Sequence, residues 1–460
     1  MTLLNQALLK TIGCFCLLAS ASTFATNGYF THGVGSKFKS LAGAGVGSNS
    51  DMGPIAVANN PALAVFTEQK TEIGLALFGP HRSYTPSDSL ANGQGGAFTL
   101  AAGEYDSGSN LFPIPYVAKN WTLENERAIT LVAYGRGGMN TDWNSNSASA
   151  TFDPDGPGPA VPTAFPGVFG SGDAGIDLVQ LFVSVNYAQK SSDSFAWGFG
   201  PIFAYQEFEA EGLSAFAPYT KTFALSGGTK MPTALSDNGH DSAFGIGAYF
   251  GFWWGLSDSL SAGMSYQTRI AMSEFDDYSD LFADSGNFDV PASIKGGISY
   301  LLDSGLRINL DVEHTQYGDV DSVGNEMALI LSCPTAGLGG SKINTCLGGG
   351  SGAGFGWADM TSYKLGAEWP AKQGMVWRIG YSYGEQPVSR RDALFNILAP
   401  GVIEHHFTAG LSGELDSGNE WAVVVMYAPE KKVDGTNLFD PTQSIELKMY
   451  EYEVEVSYSF

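Results

Sequence analysis

The last eleven residues, YEYEVEVSYSF from Tyr450 to Phe460, constrain the fold more than any other stretch. In a strand successive side chains point to opposite faces. Tyr450, Tyr452, Val454, Val456, Tyr458 and Phe460 therefore share one face, and Glu451, Glu453, Glu455, Ser457 and Ser459 the other. The first face is wholly apolar, with aromatics at both ends and valines between. Ten steps of about 3.3 Å, tilted by roughly 40°, rise about 25 Å, the height of the apolar band on an outer-membrane barrel with its two aromatic girdles. A half-buried strand of a soluble sandwich also alternates, but it has no reason to place aromatics at both rims. The period recurs, for example in Leu306, Ile308, Leu310 and Val312 set against Arg307, Asn309, Asp311 and Glu313.

Following this period along the chain gives strands at about 68–78, 113–121, 127–135, 176–189, 195–206, 242–255, 259–271, 291–301, 305–317, 361–369, 375–384, 403–413, 420–428 and 444–460. The connections alternate, long at about 79–112, 136–175, 207–241, 272–290, 318–360, 385–402 and 429–443, short elsewhere. An even strand number with alternating loop lengths is the mark of a membrane barrel. After Ala25 no apolar stretch is long enough to cross a bilayer as a helix. The expectation is an all-β chain forming a 14-stranded antiparallel transmembrane β-barrel.

Net charge is −24, which argues against a nucleic-acid partner. Residues 1–25 carry Lys10, an apolar run to Leu18 and the small-residue stretch ASASTFA, the order of a secretory signal peptide. Cys14 and Cys16 leave with it. Cys333 and Cys346 then close a short Gly-rich loop in an exported chain, where a structural disulfide is expected and the four ligands of a metal site are missing. Residues 26–66 do not alternate. Their glycines suit a floppy leader, whereas Phe30, Val34, Phe38, Leu41, Ile55, Val57 and Leu63 suit a compact plug in a barrel lumen.

Several passages resemble the FadL/TodX family of outer-membrane transport proteins for long-chain fatty acids and aromatic hydrocarbons. They are Asn60-Pro61-Ala62 closing SLAGAGVGSNSDMGPIAVANNPAL, the stretch SYQTRIAMSEFDDYSDLFADSGNFDVPASIKGGISY, and WRIGYSYGEQPVSRRDALFNILAP ahead of the aromatic terminal strand. The resemblance implies an N-terminal hatch over residues 26–66 inside a barrel over residues 67–460, in the outer membrane of a Gram-negative bacterium. It also implies passive transport of a hydrophobic small molecule, with long-chain fatty acids as the first expectation and no cofactor. Cargo would be captured among outer loops, the hatch would shift, and cargo would leave sideways through an opening made by a kinked strand. The expected partners are outer-membrane lipid, lipopolysaccharide and the barrel-assembly machinery, and a lateral exit favours a monomer.

A cargo carboxylate would need fixed donors in an apolar lumen. Strand parity directs Arg269, Lys295, Lys364 and Arg378 inward, and Arg391 lies with Arg390 in an outer loop beside Pro387. Each could equally pair with lumen carboxylates such as Glu368, Asp311 or Glu451, as could Lys37 and Lys39 of the hatch. Asn60, Pro61 and Ala62 read as the turn from hatch to first strand, and Pro201 as a strand kink or exposed edge. Gly380-Tyr381-Ser382-Tyr383-Gly384 has the spacing of a hydrolase elbow with Asp392 and His405 downstream, but it lies inside an alternating strand, so no catalytic residue is expected. Besides a channel, the same barrel could serve as a surface adhesin or receptor, or less readily as an outer-membrane lipase using Ser382.

Overall fold

Fourteen strands close on themselves in the computed structural model, which describes residues 27–153, 161–335 and 339–460. The signal-peptide expectation over residues 1–25 lies outside the described residues. The barrel strands are β1 (Thr71–Pro86), β2 (Phe112–Leu123), β3 (Arg127–Trp143), β4 (Ala174–Ser192), β5 (Phe195–Glu211), β6 (Asp241–Gly255), β7 (Leu260–Gln267), β8 (Ser293–Leu301), β9 (Arg307–Thr315), β10 (Met360–Pro370), β11 (Val376–Gly384), β12 (His405–Glu414), β13 (Glu420–Asn437) and β14 (Asp440–Ser459). Each pairs antiparallel with its neighbours in sequence, and β14 returns to β1 through Glu72–Ser459 to Pro86–Ile445. Closure pairs the first strand with the last and so removes the open edges of the sheet, as a lipid-facing sheet requires, except for one gap in the wall described below.

The alternation is inside out relative to a soluble protein. Leu75, Leu77, Phe203, Ile298, Leu365, Val454 and Val456 are exposed on the outer face, while Asn120, Gln206, Asn309, Glu451 and Glu455 are buried within. One expected connection is absent. The segment 429–443 is not a long loop, because β13 and β14 continue as a hairpin that turns only at Asn437–Asp440. Its EKKVDGTN sequence stands above the apolar band, where no lipid selects an apolar outer face.

The chain from Asn27 to Phe66 packs against the inward-facing side chains. Phe38, Leu41, Ala56 and Leu63 form one buried cluster with Trp253 of β6, and Tyr29, Phe30, Val34, Ile55 and Val57 join a larger one. Burial of five large apolar side chains of this kind stabilises docking by roughly 8–15 kcal/mol before ordering costs. Polar anchors fix its register. Asp311 accepts the N–H groups of Gly45 and Val46 at 2.8 Å each, and Tyr249 donates to the carbonyls of Ala58 and Asn59. Gly43 has φ +82, and a side chain there would meet the His32 carbonyl. The Asn60 side chain caps a short 3-10 helix (Pro61–Phe66) by accepting from Ala62 N, and donates to the carbonyls of Val46 and Phe252. Proline at the first helical position needs no donor there.

At the end bearing the long connections, segments between strands fold over the lumen. A small sheet of Thr99–Leu100, Ser149–Phe152 and Thr163–Pro166 lies there. So does the disulfide between Cys333 and Cys346. No helix among the described residues is long and apolar enough to cross a membrane.

Candidate functional site

Three cavities lie in succession from the roof into the barrel. The first, about 450 Å3, is lined by Ile176, Phe208, Phe216, Phe282, Leu347 and Phe395 among others, with Ser322 the only side chain in its lining that carries a polar group. Its floor includes Leu398. The next residues, Ala399 to Gly401, line a second cavity of about 260 Å3 with Arg82, Met139, Asn140, Trp357 and Met449. The segment between the two is tied to β3, since Trp143 Nε1 donates to the Ile397 carbonyl and Thr141 to that of Leu398. A third cavity, about 230 Å3, is lined by Thr31, Val34, Lys39, Ile114, Tyr116, Tyr134 and Gly135. Tyr29 and Phe30 stand between the second and third, for they bond to β3 at Gly137 and Gly138, within the stretch from Gly135 to Met139 that joins the two.

The wall is incomplete beside the third cavity. The β2–β3 ladder runs from Leu123–Arg127 only as far as Tyr116–Tyr134. Above it, β3 keeps its pairing with β4, and β2 keeps its pairing with β1. Two features open this window. β2 carries Pro113 and Pro115, which have no N–H to donate. β3 bulges at Gly135–Gly137 around Arg136. The N-terminal segment takes the missing partner's place: Thr31 N–H donates to the Arg136 carbonyl, Gly138 N–H to that of Tyr29, and Phe30 bridges Gly137. A Cβ on Gly137 would come 2.6 Å from the Tyr29 carbonyl, so glycine permits the approach. The Arg136 guanidinium lies 4.1 Å from the Phe30 ring centroid. The top of the window is closed by Gly108 N–H on the Asp142 carbonyl and by Arg82, which donates to the carbonyls of Asn140 and Ser109.

Four of the five basic residues singled out from the sequence sit beside carboxylates. Lys295 and Lys364 face inward and lie 3.2 and 2.6 Å from Glu313, which also lies 3.6 Å from Arg136. Arg378 lies 2.9 Å from Glu368, which Arg307 and Ser50 also reach. Arg269 departs from strand parity, because past the end of β7 the Thr268 hydroxyl oxygen, in place of a backbone carbonyl, accepts the Ala248 N–H. The Arg269 side chain emerges half exposed, bound to Asp289 and the Asp319 carbonyl. Arg391 is exposed in its loop. Pro201 interrupts pairing over two positions, between Ser184–Ile202 and Tyr187–Phe199. Sequence reasoning did not single out Pro113, Pro115 or Arg82. The two prolines were legible as ladder breakers, and Arg82 lay beyond the assumed end of its strand.

The N-terminal segment is also held by charge. Lys39 lies 2.8 Å from Glu453 and 2.6 Å from Glu455, and Lys37 lies 2.7 Å from Glu420. Burial alone would lower the Lys39 pKa, but Glu453 and Glu455 hold its ammonium above the ordinary lysine range. His32 is wholly buried and stacked on His406 at 5.5 Å. Burial, then His406, Lys39 and Lys364, push its pKa well below the usual imidazole value. A further opening of about 580 Å3 at the short-turn end is lined by Ser50, Asp51, Arg307, Glu368, Trp369 and Arg378, a charged mouth ill suited to apolar cargo.

Ser382 lies within β11, fully buried, with its hydroxyl 3.1 Å from His406 Nδ1. It is not at a strand-to-helix elbow, and none of the cavities described above is lined by it. His405 points the other way, toward Tyr381.

No family model matches the sequence, and no curated protein matches it. Solved structures do. The Pseudomonas putida toluene transporter TodX superposes with a TM-score of 0.61 at 15% identity, over 93% of this chain and 98% of that one. The Ralstonia pickettii toluene transporter TbuX gives 0.57 at 14%, over 93% and 98%. A Pseudomonas aeruginosa FadL homologue gives 0.61 at 14%, over 94% and 99%. By fold the chain is a barrel of the FadL/TodX kind.

Proposed function

We propose that the protein is a passive outer-membrane channel for hydrophobic compounds, with long-chain fatty acids as the first cargo class. The observation that carries this proposal is the file of cavities leading from an apolar roof pocket to a window in the wall that the protein's own N-terminal segment occupies. Apolar cargo gains about 25 cal/mol per Å2 of surface buried in such a pocket. Moving from pocket to bilayer through the wall, it never returns to water. The roof loops capture it, the segment 26–66 acts as a hatch, and displacement of Tyr29 and Phe30 opens the window between β2 and β3. The long-loop end then faces outward and the short-turn end the periplasm. No energy source is needed, because the cargo runs down its own gradient into lipid. The similarity in fold to TodX, TbuX and the FadL homologue supports the class of cargo.

The test is uptake of labelled oleate and of toluene by cells with and without the protein. Faster entry of either, saturable and abolished by deleting the roof segment 395–401, supports the channel. Equal entry in both strains overturns it.

A further inference from the structure

The opening at the short-turn end lies off the file of cavities, and passage of apolar cargo makes no use of it. At about 580 Å3 it has the size of a small-ligand pocket. Arg307 of β9, Glu368 of β10 and Arg378 of β11 line it, with Ser50 and Asp51 of the N-terminal segment and the apolar side chains of Leu301, Pro370 and Val376. Arg378 is 4% exposed. The two arginines share one carboxylate. Their Nε atoms lie 3.3 and 2.9 Å from the two oxygens of Glu368, and their Nη1 atoms donate to Ser299 and Ser412. Neither Nη2 has a partner among the described residues. Two guanidiniums on one carboxylate leave a positive charge uncompensated, with donors to spare in a planar fork.

Asp51 supplies the opposite charge. Its carboxylate accepts the Gly53 N–H at 2.8 Å and has no cation within ion-pair distance among the described residues, for Lys37 meets Asp51 only at the backbone carbonyl. Glu68 and Glu420, whose oxygens come within 4.8 Å of that carboxylate, take both local lysines. Lys70 lies 2.7 Å from Glu68 and 2.6 Å from Glu420, and Lys37 lies 2.7 Å from Glu420. Three carboxylates against two ammonium groups leave one negative charge. A simple anion in the mouth would meet Asp51 unpaired, and a simple cation would meet the guanidiniums. A molecule carrying one charge of each sign satisfies both. The charged groups of β9, β10 and β11 sit on the lumen side of the wall, which separates them from bilayer lipid and leaves them open to solutes at the short-turn end.

We propose that this mouth is a binding site for a small zwitterion, an α-amino acid with an apolar side chain. Its carboxylate pairs with Arg307 and Arg378, its ammonium with Asp51, and its side chain lies against Leu301, Pro370 and Val376. Bound there, it ties the N-terminal segment to the barrel wall beside the existing bond from the Ser50 hydroxyl to Glu368 at 2.9 Å. Because the mouth is off the route from roof to window, the site stands or falls separately from the transport reading.

The test is calorimetric titration of the full-length protein in nonionic detergent at neutral pH with L-leucine, with isocaproate, which lacks the ammonium, and with isoamylamine, which lacks the carboxylate. Wild type should bind leucine at least about tenfold more tightly than either, the scale of one charge-assisted hydrogen bond. D51N should bring leucine down to the level of isocaproate, and R378Q to the level of isoamylamine. Glu368 keeps Arg307 in R378Q, and R307Q, in which Glu368 keeps Arg378, serves should R378Q not assemble. Leucine should also slow amide exchange in residues 48–53 of the wild type. The site is overturned, and the channel left standing, by absence of leucine binding at millimolar concentration, by equal affinity for the three ligands, or by unchanged exchange in residues 48–53. A preference over isocaproate that survives D51N, or over isoamylamine that survives the arginine variants, overturns it equally.

Discussion

Lys39 is the residue whose loss should most clearly loosen the hatch. Its ammonium, 3% exposed, sits between Glu453 and Glu455, which are 2% and 1% exposed, and Ser36 donates to the second of these at 2.8 Å. Lys39→Met preserves length and apolar packing but leaves two buried carboxylates without their cation, next to Glu451, which already lacks hydrogen-bond partners. Removing one member of a buried ion pair costs about 3–5 kcal/mol. The Lys37–Glu420 pair is less enclosed, and Glu420 has a second cation in Lys70, so it contributes less. Against roughly 8–15 kcal/mol of apolar burial in the segment, the hatch stays docked on average in the variant. Its open fraction, however, should rise by about two to three and a half orders of magnitude. Hydrogen exchange followed by mass spectrometry reads this directly: amides of residues 33–45 should exchange at least about 100-fold faster than in wild type, while the barrel strands keep their protection. Adding Glu453→Gln and Glu455→Gln should restore most of the protection, because replacing a whole buried pair by neutral groups is close to neutral in energy. Unchanged exchange in residues 33–45 of the single variant would refute the claim that charge holds the hatch.

Three further outcomes follow from the same contacts. His32 is buried and neutral with a depressed pKa, so it stabilises the docked hatch above the free imidazole value of about 6.5 and that stability is lost as pH falls below it. Below about pH 6.5 the loss should appear as faster hatch exchange, and His32→Phe should diminish it. Lys39 titrates far above this range and does not contribute to it. Cys333→Ser opens a bridge of sequence separation 13 beside Leu347, a wall of the first cavity, and should cost the roof about 3 kcal/mol by the loop-entropy estimate. Exchange in residues 339–355 should rise, and unchanged exchange would contradict the placement of the disulfide as a roof clamp. Gly137→Val places methyl groups against the Tyr29 carbonyl and the Phe30 ring, so it should unseat the N-terminal segment from the window. Its readout is proteolytic release of residues 27–31, and protection equal to wild type would count against the packing described.

The barrel was legible in the sequence because lipid and lumen impose opposite demands on successive residues. Where one of those demands lapses, the pattern lapses too. Above the apolar band the β13–β14 hairpin carries EKKVDGTN and does not alternate. Arg82 was hidden for the same reason, since β1 runs to Pro86 through a stretch, GPHRSYTP, in which apolar alternation has ended. Arg269 was misdirected because a hydroxyl at Thr268 stands in for backbone in the ladder, which shifts the parity of all that follows. Pairing partners across the lumen, such as Lys39 with Glu453 and Glu455, join residues more than 400 apart in the chain and leave no local signal. The window needed two coincident features, prolines on β2 and a bulge on β3, and only the first is visible in a one-dimensional reading.

The most direct measurement is photolabelling of the assembled protein in membranes with a long-chain fatty acid bearing a diazirine near the tail end, followed by peptide mapping. A channel with a lateral exit places label on the cavity lining at Ile114, Tyr116, Tyr134 and Met139 and on outward residues flanking the β2–β3 window. Label confined to the roof loops, or found at the charged mouth around Arg307 and Arg378, would contradict passage through the wall.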